Sequence, residues 1–383
     1  MKIGNDDDTP TRSPLTLRAT YRWLILVLIA VTLPYLMAWL TTPEGKVFSW
    51  ALLNPDDVSV YVSAMNQGAE GKWLYHFTYS PEAWQPRLML SLYLVLGKIT
   101  AIFSQPSVIW FHVWRLFLGV LSMGALVFWV RTVFPNRSRW QWTAWFLILF
   151  GGGLGWIVAI IRPSISGQLP DIGMAEWVPL LAFISTPHFA LGLGLEALVF
   201  SCFIRAERAE STRLRIRWVV LGAIAAVLAT LVYVYHLAII GLVIGTYLLF
   251  RTVQEYRSSW RHWWTGAIII APLIPLLFYY TIWTNDDPYW ERYTRIDHVI
   301  LPPSFWAAVI GLGLLLPLAF AGARYWFKQG RTPLLPIWAI VNFLVLYLPF
   351  VTFSGRFGLG LMLPVATLAA VGLETTVLPW LSR

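Results

Sequence analysis

Hydrophobic residues in this chain come in long unbroken runs rather than in alternation. Ten runs stand out: 22–41, 107–130, 140–161, 179–204, 217–234, 236–250, 263–283, 305–323, 334–353 and 357–378. About 20 apolar residues in a helix cross the hydrocarbon core of a bilayer. Each run therefore predicts a membrane span, with 236–250 the shortest. Inside lipid every backbone amide needs a partner within the protein, which leaves helices or a closed barrel. Barrel strands alternate apolar and polar residues, and these runs do not. The pattern predicts an all-α, polytopic helical membrane protein with about ten transmembrane helices. The first run is too long for a signal peptide, and no small-residue cleavage site follows it, so it reads as the first span. The chain then divides into a tail, 1–21, and a single transmembrane domain, 22–383, in which the loop 42–106 is the longest connection.

Charge orders the runs. One set of connections holds Arg131, Arg137 and Arg139, then Arg205, Arg208, Arg213, Arg215 and Arg217, then Arg251, Arg257 and Arg261, then Arg324, Lys328 and Arg331. The alternate set holds Asp56 and Asp57, then Asp171 and Glu176, then Asp286, Asp287, Glu291 and Asp297. Ten crossings put these two sets on opposite sides. Lys and Arg favour the cytoplasmic side, so both termini are expected in the cytoplasm and the protein in the plasma membrane. The segment 88–103, LMLSLYLVLGKITAIF, tempts an eleventh span. If it crossed, every basic cluster after it would face outward. It also contains Lys98 and is short, so it predicts an interfacial or re-entrant helix within the first outer loop.

Composition agrees. Of 383 residues 58% are hydrophobic and 12% charged, against about 25% charged in soluble domains. The net charge of +9 sits in small clusters between spans. That is a topology signal, not a nucleic-acid-binding stripe. One cysteine, Cys202, excludes an internal disulfide. Many of the 23 tryptophans flank apolar runs, as an interfacial aromatic belt does; sugar stacking by a few is the other reading. No P-loop, GxGxxG, HExxH or paired CxxC occurs, which argues against an ATP-driven pump, a dinucleotide enzyme or a zinc protease.

Candidate chemistry gathers on the acidic side. Asn54-Pro55-Asp56-Asp57 predicts a helix start, with Asn as cap, Pro first and acids in the first turn. Asp57 and Tyr61 then share a face. The carboxylates either cap the helix or act as a general base beside the bilayer, where burial raises a carboxyl pKa. The polar, aromatic stretch 71–87, including Trp73, is either an interfacial loop or a platform for a flat amphipathic ligand such as a sugar. His188, with Glu196 two turns deeper, is either an interior pair or a functional group at depth. His236 either caps a helix or meets a polar head group. The loop 284–304, with Arg292, Arg295 and His298 among Tyr and Trp, is either solvated or ordered over a site. Arg356 opens the last run as the one cation at that edge. Its forked guanidinium suits phosphate; snorkelling to the interface is the alternative.

Several of these motifs resemble the GT-C superfamily of integral-membrane glycosyltransferases, which includes protein O-mannosyltransferases, aminoarabinose transferases and oligosaccharyltransferase catalytic subunits. The resemblance rests on Asp56-Asp57 with Tyr61, on Gly71-Lys72-Trp73, on Pro86 leading into 88–103, and on Arg356 followed by Leu363-Pro364 and Ala369-Ala370. The chain departs from the family in having Gln85-Pro86-Arg87 where Lys-Pro-Pro is common, and Asp171 and Glu176 in place of an Asp-x-Asp. The resemblance implies a polyprenyl-phosphate-linked sugar as donor. It implies inverting transfer to an acceptor hydroxyl at the outer face, with membrane lipid and lipid-linked sugar as partners. Asp57, then Asp56, would be the base and Arg356 the phosphate ligand. Tyr61, Trp73, His188, His236, Arg292 and His298 would bind substrate. Asp171 and Glu176 would be the ligands of any divalent ion. The rival readings are a lipid or solute transporter, for which Glu196 and the Gly-rich 151–155 speak, and an inactive lipid-binding protein of the same fold.

Overall fold

The computed structural model describes residues 15–255, 260–283, 286–293, 299–349 and 351–381. Among them every regular element is a helix, and one isolated antiparallel bridge joins Tyr75 to Arg87. The helices, in order, begin with α1 (Leu17–Leu40), then α2 (Pro55–Ala69) and α3 (Ser91–Thr100) in the first long loop, then α4 (Val108–Val133). The third span is interrupted, as α5 (Ser138–Phe150) and α6 (Gly155–Ile161). Short helices α7 (Pro170–Gly173) and α8 (Pro179–Ser185) precede α9 (Pro187–Arg208), α10 (Thr212–Val232) and α11 (His236–Glu255). Then come α12 (Trp260–Ile270), α13 (Leu273–Phe278) and the short α14 (Pro288–Arg292). The last are α15 (Phe305–Leu312), α16 (Leu315–Lys328), α17 (Leu334–Val345), α18 (Met362–Gly372) and α19 (Leu378–Leu381).

Seven segments are long and apolar enough to cross a membrane, and two bent helix pairs bring the number among the described residues to nine. The remaining expected span, 334–353, is helical for only 12 residues, about 18 Å of rise. Pro349 lacks the N–H that would bond the Val345 carbonyl, and the helix ends there. The run 236–250, expected to be short, extends to Glu255. The last span does not begin as an α-helix at Arg356: a 3-10 turn occupies Ser354–Gly358, and the α-helix starts at Met362. Within 88–103, the 10 residues of α3 rise about 15 Å, too little to cross a hydrocarbon core of about 30 Å.

Burial ranks the spans. In α9 the apolar window is 83% buried within the protein, in the last span 72% and in α4 61%, against 17% for α1. The first three form the centre, and α1 lies at the rim. Small residues let the backbones approach, as membrane helix pairs require. A Cβ on Gly322 would stand 1.9 Å from the Leu368 carbonyl oxygen, and one on Gly372 would stand 2.0 Å from that of Leu318, so α16 and α18 cross there. Trp129 of α4 donates to Thr367 of α18 at 3.1 Å. Arg115, buried in α4, was not singled out by the sequence. Its Nη1 donates to the carbonyls of Phe183 at 2.8 Å and Val31 at 3.3 Å, and its guanidinium lies 4.6 Å over the Tyr35 ring. It ties α1 and α8 to the core.

Backbone leaves the helical pattern where two breaks meet. Gly153, between α5 and α6, sits against the carbonyls of Ile310 and Gly311 beside the 77° bend between α15 and α16. The Leu154 N–H donates to the Ile310 carbonyl at 2.8 Å. No side chain fits between these strands of backbone.

The first long loop is locked the same way. A Cβ on Gly68 of α2 would stand 2.0 Å from the Leu94 oxygen, and one on Gly97 of α3 would stand 1.9 Å from the Met65 oxygen. The obstacle is backbone on both sides. Gly97→Ala is therefore expected to separate α2 from α3 at a cost of about 1–3 kcal/mol, read as a lower melting temperature in detergent; an unchanged temperature would contradict the crossing. For sidedness, cysteines placed at Ser138 and Ser304 are expected to label from opposite faces of the membrane, with Ser304 the outer. Labelling of both from outside would overturn the topology read from charge.

Candidate active site

Asp57 sits in the first turn of α2. Asn54 precedes it in the left-handed region, with φ 50, and its side chain does not cap the helix backbone. The amide faces the Asp57 carboxylate instead. Asp56 points to solvent, while Asp57 is half-buried. Burial is the main reason the Asp57 carboxyl is pushed above its usual range; Arg356 opposes that, and Glu176 adds to it. These three side chains come from the first loop, the connection before α8 and the start of the last span. The structure thus gathers residues far apart in sequence within one electrostatic neighbourhood.

Arg356 stands on the 3-10 turn Ser354–Gly358 and forms an ion pair with Glu176. The turn is held from several sides. The Ile300 N–H donates to the Thr352 carbonyl at 2.8 Å and the Gly355 N–H to the Ile300 carbonyl at 2.9 Å. Tyr233 donates to the Arg356 carbonyl at 2.9 Å, and Asn342 to that of Phe357 at 2.6 Å. Gly358 lies against the Trp177 indole, where a Cβ would come within 2.7 Å of Nε1. Glu176 and Trp177 thus act on the same turn, one by charge and one by shape. Arg356 was expected to await an external anion; its partner here is a carboxylate of its own chain. Two carboxylates beside one guanidinium leave a net charge of −1, so an arriving phosphate would compete with Glu176 for Arg356.

Aromatic rings floor the site. Tyr61, one turn after Asp57, stacks on Tyr93 of α3 with ring centres 4.4 Å apart and planes at 7°. Burial raises the Tyr61 phenol well above its usual pKa, so it stays neutral and can donate or accept hydrogen bonds but not serve as a base. The Tyr93 hydroxyl is 2.6 Å from His188 Nδ1. The His188 ring meets Tyr61 edge-on at 5.1 Å and stacks on Tyr233 at 5.9 Å. Tyr235 and Tyr293 belong to the same neighbourhood, since the charges of Arg356 and Glu176 act on Tyr235 and Tyr293 acts on both Tyr235 and Tyr61.

Other expected residues lie elsewhere. Trp73 is 67% exposed, with Lys98 4.4 Å over its ring. His236 is buried one layer deeper, its ring 5.3 Å from Tyr233 and its Nδ1 3.3 Å from Glu196. Arg292 lies exposed at the end of α14, and His298 lies outside the described residues. The loop carrying Arg292 does dock on the first loop: Arg87 pairs with Asp286 at 2.8 Å, and Trp290 donates to the Gln85 carbonyl at 2.8 Å. Asp171 accepts the Gly155 N–H at 2.8 Å and so closes the break before α6. With Asp171 engaged there and Glu176 on Arg356, this pair does not fit the divalent ion expected of it. Among the described residues no cluster of three or more His, Cys, Asp or Glu is placed to hold a metal. Tyr93, Tyr233, Tyr235 and Tyr293 were not anticipated. The one signal for two of them was the polar turn VYVYH between spans.

No known family profile matches the chain, and no curated protein resembles it in sequence. Its fold does have solved counterparts. It superposes on ArnT from Cupriavidus metallidurans bound to undecaprenyl phosphate with a TM-score of 0.55 and 16% identity, over 93% of this chain and 61% of that one. For the apo state of the same ArnT the TM-score is 0.58 at 16% identity, over 95% and 62%. The chain thus spans a little over 60% of the length of these ArnT structures. It shares with these ArnT structures a polytopic helical, GT-C-like fold.

Proposed function

We propose that this protein is a GT-C-type glycosyltransferase that moves a sugar from a polyprenyl-phosphate donor to an acceptor hydroxyl with inversion, at the outer face of the membrane. The observation that carries this reading is a chain of contacts between Asp57 and Arg356: Tyr61, one turn after Asp57, meets His188 edge-on, His188 stacks on Tyr233, and Tyr233 donates to the carbonyl of Arg356, which pairs with Glu176. The solved ArnT complex supports the choice of donor, because that protein is bound to undecaprenyl phosphate.

The chemistry assigned to each residue is simple. Asp57 accepts the proton of the acceptor hydroxyl, whose oxygen attacks the anomeric carbon. The bond from that carbon to the phosphate oxygen breaks, and the lipid phosphate leaves with the electron pair. Arg356 holds the departing charge, having exchanged Glu176 for phosphate. Burial suits Asp57 to this work: a raised pKa makes it a stronger base than a solvated carboxylate. Neutral Tyr61, Tyr93 and Tyr233 supply rings and hydroxyls against which a sugar can lie. The lipid tail would run among the spans. The acceptor stays unspecified.

Asp57→Asn keeps the shape and removes the base. Transfer is expected to fall by about 10²–10⁴-fold in an assay with lipid-linked sugar, while donor binding persists. Because the folded-state pKa is raised, the ionised Asp57 costs stability as pH climbs past its unfolded value of 3.8. That cost is complete above the raised pKa, so Asp57→Asn is expected to melt higher than the parent at neutral pH and not at pH 3. The acid limb of the parent's rate profile should accordingly lie above 3.8. Unchanged transfer by Asp57→Asn would sink the assignment of the base; loss with Asp56→Asn alone would move it one residue.

Arg356→Ala should weaken donor binding by about tenfold or more, the equivalent of one charge-assisted contact. Retention of polyprenyl phosphate on the purified variant, compared with the parent by mass spectrometry, reads this directly. Equal retention would remove Arg356 from the donor site.

A further inference from the structure

We propose a second site, for a phosphate group, at the end of the bundle remote from Asp57. It lies in a cavity of about 320 Å³ walled by Arg137, Arg208 and Arg331 together with Trp326 and Thr332. This inference is independent of the glycosyltransferase reading.

Its remoteness follows from α9, which carries His188 in its first turn and Arg208 as its last residue. At 1.5 Å per residue these are about 30 Å apart. The three arginines reach the cavity from separate connections. Arg137 precedes α5, Arg208 ends α9, and Arg331 lies between α16 and α17. Each guanidinium is fixed by something other than an anion. Arg208 donates to the Thr132 carbonyl at 2.7 Å. Arg137 lies 4.4 Å over the Trp140 ring and Arg331 4.6 Å over that of Trp326. Among the described residues none of the three has a carboxylate within ion-pair distance. An adjoining cavity shares Arg208 and Thr332 with this one and contains Glu207, but that carboxylate is taken by His262.

The bias of Lys and Arg toward one side of the membrane accounts for arginines at this end. It does not account for three of them turned into one concavity. Solvated like charges would spread apart. Here Arg137 and Arg208 lower the proton affinity of Arg331, after the larger effect of its burial. A phosphate relieves that repulsion, and its oxygens match the forked guanidinium edges. The indole of Trp326 adds an apolar wall beside the charges. The group could arrive on an anionic lipid or on a soluble phosphate compound.

The test uses the whole protein, purified in mild detergent and, as variants, R137Q/R331Q, Arg331→Lys and Arg356→Ala. Native mass spectrometry compares retention of phosphatidylglycerol and phosphatidylcholine, and calorimetry follows inorganic phosphate. A preference of about tenfold for phosphatidylglycerol that R137Q/R331Q abolishes, and that Arg356→Ala and Arg331→Lys keep, supports a lipid head group here. Inorganic phosphate binding lost in R137Q/R331Q, without a lipid preference, supports a soluble phosphate. If neither ligand responds to R137Q/R331Q, the site is refuted. Should that variant fail to fold, competition decides. That competition is run on Arg356→Ala, which lacks the other phosphate ligand: displacement of the lipid by inorganic phosphate but not by chloride, at equal ionic strength, supports the site, and equal displacement by both refutes it.

Discussion

A peptide group in hydrocarbon must find its partner inside the protein. This constraint organises the bundle, because several of its helices break and each break exposes N–H and C=O groups. Every one of the described breaks that matters for the site has a named answer. Asp171 takes the Gly155 N–H, and the Ile310 carbonyl takes that of Leu154. Asn342 serves the Phe357 carbonyl and Tyr233 serves that of Arg356. The polar side chains that a membrane core would otherwise reject are drawn to these places. Broken helices and the candidate site are thus one phenomenon: the same irregular backbone that needs polar partners also carries the Arg356–Glu176 pair.

That dependence explains which parts of the structure the sequence revealed. Hydropathy alone locates the spans, since each is a local property of about 20 residues. Charge asymmetry is also additive, and it separates α3 from the true crossings. Asp57 and Tyr61 announce themselves by a local helix-start signal. The Arg356–Glu176 pair does not, because no local pattern links a turn near the end of the chain to a connection before α8. Glu176 looked like a metal ligand for want of its real partner. Tyr93 was hidden in an apolar stretch where a tyrosine reads as one more interfacial aromatic. Arg115 was hidden likewise, its three-way grip on carbonyls and a ring visible only in space. The shortness of α17 was missed because apolar residues run on past Val345, while Pro349 has no N–H for the Val345 carbonyl and the chain there turns by i→i+3 bonds instead.

The charge arrangement around Asp57 is unbalanced by design of its surroundings rather than by accident of exposure. Glu176 and Arg356 are both nearly enclosed, with side chains 6% and 15% exposed. Removing one partner of such a pair strands the other. The pair therefore holds the 3-10 turn in place, and anything that draws Arg356 away must supply a negative charge of its own. A neutral lipid cannot do so, whereas a phosphate can. Selectivity for anionic ligands would then arise from the internal carboxylate as much as from the cation.

The crossing of α2 and α3 at Gly68 and Gly97 has a mechanical side. Backbone touches backbone at both points, so α2 and α3 cannot slide or roll past each other by rotamer changes. They move as a single lever. One arm, α3, is an apolar helix too short to cross the bilayer, with Ile99 and the following Ile102 and Phe103 turned outward. The other arm carries Asp57 at its tip. A force on the apolar face of α3 is thereby carried to the helix that bears Asp57.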